Sequence, residues 1–362
     1  MNTKQMKTNA LYLLAWCCML CSLPVSASKP DQYDYQKERK VVESFRVGSN
    51  DLVQIDNRYG SITVTHWSKN EVEIQVKIKT KANDHAVAQE ALDRVHIELK
   101  KEGNVVSGVT TLKSQNNWSG NSNQSLTIDY YVSMPSTLTS DLTQKYGNIN
   151  LPEQNDGRCS VHIKYGNLNA GNFSRKFDLE AKYGNVDLGN LAEAELELGY
   201  IGTLTCKDGN ELTINSKYSK VKMGKVHRLD LEEKYGNLSI ASLDRGSIGL
   251  KYSDGTIGFL KEQLDVDDLS YGSLTIEEVS ASFKQIHVEA RYGNLSLRIP
   301  KSTAFTLEAE DMRYGKYKVE GFSITTDERD GKTNYRSEIN GGSTRHIYFG
   351  GNNYSNLTIK AF

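Results

Sequence analysis

The chain repeats itself at a fixed short interval. Near-copies of Lys182-Tyr183-Gly184-Asn185-Val186-Asp187-Leu188 begin at Tyr59, Tyr146, Tyr165, Tyr183, Tyr200, Tyr218, Tyr235, Tyr252, Tyr271, Tyr292, Tyr314 and Tyr354. From Tyr146 to Tyr292 the steps are 19, 18, 17, 18, 17, 17, 19 and 21 residues. A unit this small cannot bury its own apolar side chains and must stack on its neighbours, so the period points to stacked structural repeats rather than to separate domains.

Counting the tyrosine as position 0, positions +3 and +5 are an apolar pair in ten of the twelve copies, among them Ile62/Val64, Val186/Leu188 and Leu295/Leu297. A spacing of two puts each pair on one face of a β-strand. Upstream, Phe177, Leu179, Ala181 and Tyr183 alternate with Asp178, Glu180 and Lys182. This predicts a second strand with its apolar side, tyrosine included, turned inward. Position +1 is Gly in eight copies and Ser in three, and +2 is Asn in six. Both Gly and Asn accept φ > 0 at low steric cost, so the bend between the strands is expected at these positions. The chain thus reads as all-β, a parallel β-solenoid of about ten coils of 17–22 residues, roughly 50 Å long at the strand spacing. Stacking would align the tyrosines as one ladder and Asn148, Asn167, Asn185, Asn237 and Asn294 as another. The Asn-x-Ser/Thr sequons at Asn237, Asn294 and Asn356 follow from that ladder without invoking glycans.

Lys4 and Lys7, an apolar run from Ala10 to Leu23, and Val25-Ser26-Ala27 have the three regions of a secretory signal peptide, with cleavage expected after about Ala27. The run is too short for a comfortable membrane span and no segment elsewhere reaches 18 apolar residues, so no transmembrane segment is expected in the mature, exported chain. Cys17, Cys18 and Cys21 lie in the signal and lack the small preceding residue of a lipoprotein site. Cys159 and Cys206 fall in inward columns about two coils apart and read as core thiols. Removing 27 of the 362 residues leaves 335, ample for a sizeable core. Residues 28–137 read as a β-rich N-terminal cap with one short helix, Asp84 to Val95, capped by Asp84 and with Ala88, Leu92 and Val95 on one face. Residues 138–320 hold the solenoid repeats. Residues 321–362 hold the closing strands, with Ile347–Phe349 and Leu357–Phe362 expected to seal the far end.

Position −1 is Lys or Arg in nine copies, including Lys164, Lys182, Lys217, Lys234, Lys251, Arg291 and Arg313. Stacked outward, these would form a basic stripe able to hold a linear polyanion. Position −3 carries Glu180, Glu197, Glu232, Asp268 and Glu289 on the same face, so the two columns are expected to compensate each other. Trp118, in a loop rich in Asn, Ser and Gly, is a candidate for stacking on a sugar ring or for packing on the cap. The net charge of −1 gives no global signature for nucleic acid. The seven histidines show no metal-ligand spacing, so no cofactor is expected. Asp265, Asp267, Asp268, Glu277 and Glu278 are the nearest approach to a catalytic carboxylate cluster, and alternation scatters them.

The Tyr-Gly-Asn-Leu/Ile/Val-x-Leu repeats, the segment Ile55 to Trp67 and Met134-Pro135 resemble a family of bacterial β-strand-repeat proteins of unknown function regarded as adhesin candidates. The resemblance spans most of residues 45–360. It implies an exported β-solenoid, without enzymatic activity, offering an interaction surface at the periplasm or cell surface to envelope or host glycans or to a protein partner. The alternatives are a periplasmic scaffold or sensor accessory and, further off, a polysaccharide-cleaving β-helix.

Overall fold

A computed structural model of the chain describes residues 33–113, 124–330, 333–352 and 354–362. The predicted signal sequence and Trp118 lie outside the described residues. The described strands join in one sheet, with a single short helix, His85–Asp93, near the N-terminus. Asp84 caps this helix by accepting from the Ala86 and Val87 amides, and Ala88, Ala91 and Leu92 face the sheet.

From Thr139 to Arg291 each repeat pairs in parallel with the next, in register except where bulges take up the differences in repeat length. Thr139–Lys145 pairs with Cys159–Lys164, which pairs in turn with Asn172–Leu188, and so on to Gln285–Arg291. This register lines up the inward residues of position −4: Leu142, Val161, Leu179, Leu196, Ile214, Leu231 and Ile248 are all at most 3% exposed. The +3 residues form a second inward column from Ile62 and Ile149 through Leu168 and Val186. Cys159 and Cys206 are buried free thiols in such columns. The repeat of Tyr200 carries one extra residue. There Gly184 pairs with Ile201 but Val186 with Leu204, so a bulge restores the register.

Both ends depart from sequence order. The first repeat, Leu52–Arg58 and Ile62–His66, lies between the repeat of Tyr146 on one side and Val105–Leu112 and Gln124–Met134 on the other. Antiparallel strands are confined to the ends, with Tyr35–Arg46 and Glu71–Ala82 beyond the first repeat. At the other end, His346–Asn352 pairs with Gln285–Arg291 and with Phe305–Glu310, while Asn356–Ala361 pairs with Asn294–Ile299 and with Tyr317–Glu320. The segments expected to seal the far end are therefore sandwiched inside it. The antiparallel strands Ile324–Asp330 and Asn334–Ile339 lie outermost instead. Their charged residues suit a strand edge with no neighbour.

The bend also differs from the expected one. It is the tyrosine that takes the left-handed conformation, with φ between 51 and 63° in all ten copies from Tyr59 to Tyr292. The glycine that follows serves a different need, because successive backbones approach closely there. A Cβ on Gly184 would stand 1.8 Å from the Gly166 carbonyl oxygen, and one on Gly166 1.8 Å from that of Gly147. Serine enters this position with its hydroxyl buried in the contact. The Ser219, Ser253 and Ser355 hydroxyls accept from the amides of Ile201, Gly236 and Gly293.

Gly184→Ala should cost about 3 kcal/mol, the upper range for overpacking against rigid backbone. Gly199→Ala, whose Cβ would meet only the flexible Lys182 side chain at 3.4 Å, should change stability by less than about 0.5 kcal/mol. Urea denaturation of the two variants beside the parent measures the contrast, and equal losses would contradict the close-approach account.

Candidate functional site

The left-handed turn ends the strand alternation at the tyrosine and swings its ring outward. The twelve tyrosines are 39–64% exposed, not inward as alternation alone predicts. They form one continuous column of eleven contacts with ring centroids 4.8–5.3 Å apart and planes within 3–21°. Eleven steps of about 5 Å make a column about 55 Å long. Its order follows the sheet and not the sequence, since Tyr292 stacks on Tyr354 and Tyr354 on Tyr314.

Two polar columns flank the rings. On the +2 side the Asn148 side-chain oxygen accepts from the Asn167 amide at 2.9 Å, and Asn167 does the same for Asn185. Asn185 then accepts from Thr203, and Asn356 donates its side-chain amide to Asn294. The expected asparagine ladder is thus present in part, unbroken from Asn148 through Asn167 to Asn185 and resumed only where Asn294 meets Asn356. Asn237 joins through its backbone, donating to the Ser219 carbonyl.

On the −1 side the basic residues fall in register but divide by partner. Lys164 and Lys217 place Nζ 5.2 Å from the centroids of Tyr165 and Tyr218, as Lys145 does over Tyr146. Lys182 pairs with Glu180 at 2.5 Å and Lys251 with Asp268 at 2.8 Å. The Lys182 ammonium holds Glu180 below the usual carboxylate range. Lys234, Arg291 and Arg313 make no ion pair among the described residues. Gly199 and Ser270 interrupt the column, each paired with a lysine of the preceding repeat. Acidic and basic columns therefore compensate each other at two repeats, while elsewhere the ammonium groups face the rings or solvent.

The carboxylates singled out in the sequence separate. Asp267 and Asp268 line a polar cleft of about 270 Å³ with Glu289, Glu310, Asp311 and Arg291, whereas Glu277 and Glu278 stand on another strand. Gly350 and Gly351 also line the cleft, and since Gly350 stands between Glu289 and Glu310, the inserted strand puts no side chain between those two carboxylates. Tyr348 donates to Glu310 at 3.0 Å, and burial, with that carboxylate beside it, pushes its hydroxyl up to about 12. Among the described residues no group of three or more His, Cys, Asp or Glu is placed to hold a metal ion.

One buried acid escapes the sequence reading. Glu233 occupies the inward −2 column, between Ser216 and Leu250 of the adjacent repeats, and is 0% exposed. No hydrogen bond of good geometry reaches either carboxylate oxygen, and burial pushes its pKa up to about 7 against the weaker opposing pull of the Ser216 hydroxyl and the Lys234 amide. The signal was available, since Ile163, Ala181, Leu198 and Leu250 fill the same column in other repeats. Nearer the cap the column is also polar, but satisfied: Asn57 donates to Gln144 and to the Ile128 carbonyl, and accepts from Thr110.

No family model and no curated protein matches the chain. Among solved structures, bacterial adhesin candidates match it over most of its length. It is similar to a "putative adhesin" from Parabacteroides distasonis, at 12% identity and a TM-score of 0.30 over 72% of this chain and 97% of that one. A second of that description, from Bacteroides fragilis, matches at 13% identity and a TM-score of 0.27 over 90% and 97%. A "putative lipid binding protein" from Parabacteroides distasonis matches at 11% and 0.29 over 88% and 96%.

Two tests address the column and the buried acid. Tyr183→Ala removes two ring contacts of about 0.5–1.5 kcal/mol each and keeps a Cβ in the left-handed turn. Tyr183→Gly loses the same contacts but relieves the turn, so it should be the milder by about 1 kcal/mol after the glycine's own entropy cost. Urea midpoints rank the two variants. For Glu233, the folded pKa is raised, so the native state keeps a proton that the unfolded chain releases. Its contribution to stability is therefore lost as pH rises from about 4.5 through about 7. Glu233→Gln should flatten that part of the stability profile, and an unchanged slope between about pH 5 and about pH 8 would contradict the assignment.

Proposed function

We propose that this chain is a parallel β-solenoid, exported after removal of residues 1–27, that serves as a non-enzymatic adhesion or interaction surface in a bacterial envelope. Residues 28–137 act as its N-terminal cap. The observation that carries this reading is the tyrosine column. Single exposed aromatics need no explanation, but a contiguous band of twelve half-exposed rings is the kind of surface that marks an interaction site. Tyrosine suits that use because it offers rigid area with a polar tip at low entropic cost.

The flanking chemistry narrows the partner. Ammonium groups of Lys164, Lys217 and Lys234 stand along one side of the rings, with the paired Lys182 and Gly199 between the first two, and asparagine amides stand along part of the other, all at multiples of the strand spacing. An extended partner with regularly spaced anionic groups fits such a rail, and an acidic envelope or host glycan has that form. The cleft beside Asp268 is lined mainly by carboxylates and would repel such a chain, so no cleavage of it is assigned there.

Two measurements test the proposal. Protease or antibody should reach the mature protein on intact cells, with a periplasmic protein as the protected control; protection until the envelope is opened would remove adhesion and leave a periplasmic scaffold. Replacing Lys182, Lys217, Lys234 and Lys251 with Gln should leave the fold intact, lower affinity for a polyuronate at least tenfold, about 1.4 kcal/mol, and weaken its salt dependence. Unchanged binding would exclude the basic column.

A further inference from the structure

We propose that the tyrosine column is a site of oxidative phenol coupling, in which a peroxide-driven one-electron oxidant joins neighbouring rings into intramolecular dityrosine and so staples one repeat to the next. The geometry supplies what the reaction ordinarily lacks. A tyrosyl radical in solution must find a second by diffusion. Here every ring of the column except its two ends, Tyr59 and Tyr314, has a neighbour on each face, with centroids no more than 5.3 Å apart. Held this way, coupling becomes effectively unimolecular.

Access and competition favour the same rings. Their edges and hydroxyls are exposed along the whole column. The thiols that would intercept an oxidant first, Cys159 and Cys206, are buried, and burial pushes both up to about 12, far from the reactive thiolate. Phe177, Phe283 and the other large core aromatics are out of reach.

The chemistry balances with hydrogen peroxide as oxidant and a haem peroxidase as catalyst. Each of two phenols gives up one electron and its hydroxyl proton, and the peroxide is reduced to two waters. The two radicals form a carbon–carbon bond between positions ortho to the oxygens. Each ortho hydrogen then shifts to its own oxygen, restoring both phenols. One link therefore removes two hydrogens from the protein and uses two rings, so the column can hold at most one link per pair. A link fixes adjacent repeats at the surface, and its constraint on the unfolded chain would be greatest where the joined residues lie far apart in sequence.

That last point makes the test specific. Both ends of the column join residues far apart in sequence, Tyr59 to Tyr146 at one end, and at the other the contact order departs from sequence order, with Tyr354 between Tyr292 and Tyr314. The folded full-length protein, kept dilute, is treated with hydrogen peroxide and a haem peroxidase, then digested and its linked peptides sequenced by mass spectrometry. The expected result is dityrosine fluorescence in protein that stays monomeric on a denaturing gel. Links should join Tyr59 to Tyr146, Tyr292 to Tyr354 and Tyr354 to Tyr314, but not Tyr292 to Tyr314. The same treatment in urea should give several-fold less coupling within the chain. A variant carrying Y165F, Y200F, Y235F and Y271F keeps stacked rings but leaves no adjacent phenols between Tyr146 and Tyr292. It should lose the links of that stretch and retain those at the ends. Coupling only between molecules, links indifferent to the column's order, or an undiminished yield in urea or in the variant would each overturn the proposal.

Discussion

Parallel pairing in strict register is the constraint on which the rest of this structure depends. Once Cys159–Lys164 lies between Thr139–Lys145 and Asn172–Leu188, every residue stands over the same position of the adjacent repeat at one strand spacing. Columns of identical side chains are then unavoidable, and each column must tolerate its own kind. Leucine, isoleucine and valine do so by packing. Asparagine does so because its side-chain oxygen reaches the next repeat's amide. Lysine has the hardest case, since like charges stacked directly repel. The relief is visible in the alternatives the lysines adopt, with Lys164 over a ring, Lys182 drawn back to Glu180, and Gly199 or Ser270 set between cations.

The same spacing governs the bend. Backbones that come close enough to exclude a Cβ at Gly184 leave the preceding residue to make the turn, and Tyr183 does so with φ of 59°. A left-handed conformation costs a residue with a side chain about 1–2 kcal/mol, and two shared ring contacts return a comparable amount. Neither effect outweighs the other by much. The turn persists because the tyrosine amide also bonds to the next repeat, as Tyr146 does to the Lys164 carbonyl and Tyr165 to that of Lys182, and a strained conformation lasts only where its surroundings over-determine it.

Sequence alone carried the period, the inward columns and the existence of both ladders, since these rest on alternation and on repetition, which are local. It misassigned the bend because Gly and Asn are the usual bearers of positive φ, and nothing local reveals that Gly184 is needed by Gly166 of another repeat. The same oversight turned the tyrosines inward: alternation across Phe177, Leu179, Ala181 and Tyr183 holds only as far as the backbone stays extended. Spatial order at the ends was also hidden. That His346–Asn352 inserts before Phe305–Glu310 is a long-range pairing with no local signature, whereas Glu233 was legible to anyone who followed its column.

A ring stacked on both faces has little left to offer but its edge and hydroxyl. The interior tyrosines therefore cannot receive a sugar ring face to face, the arrangement by which isolated exposed aromatics hold carbohydrates. Among the described residues of the column, the two end rings, Tyr59 at 39% exposed and Tyr314 at 64%, each have a face free of another tyrosine. What the rest of the column exposes is hydroxyls, ring edges with their partial positive charge, and the neighbouring ammonium and amide groups. Such a surface discriminates by spacing and charge more than by shape. For the interaction surface proposed above, an extended partner whose groups recur near the strand spacing would engage many weak contacts at once, and their number, not the strength of any one, would set the affinity.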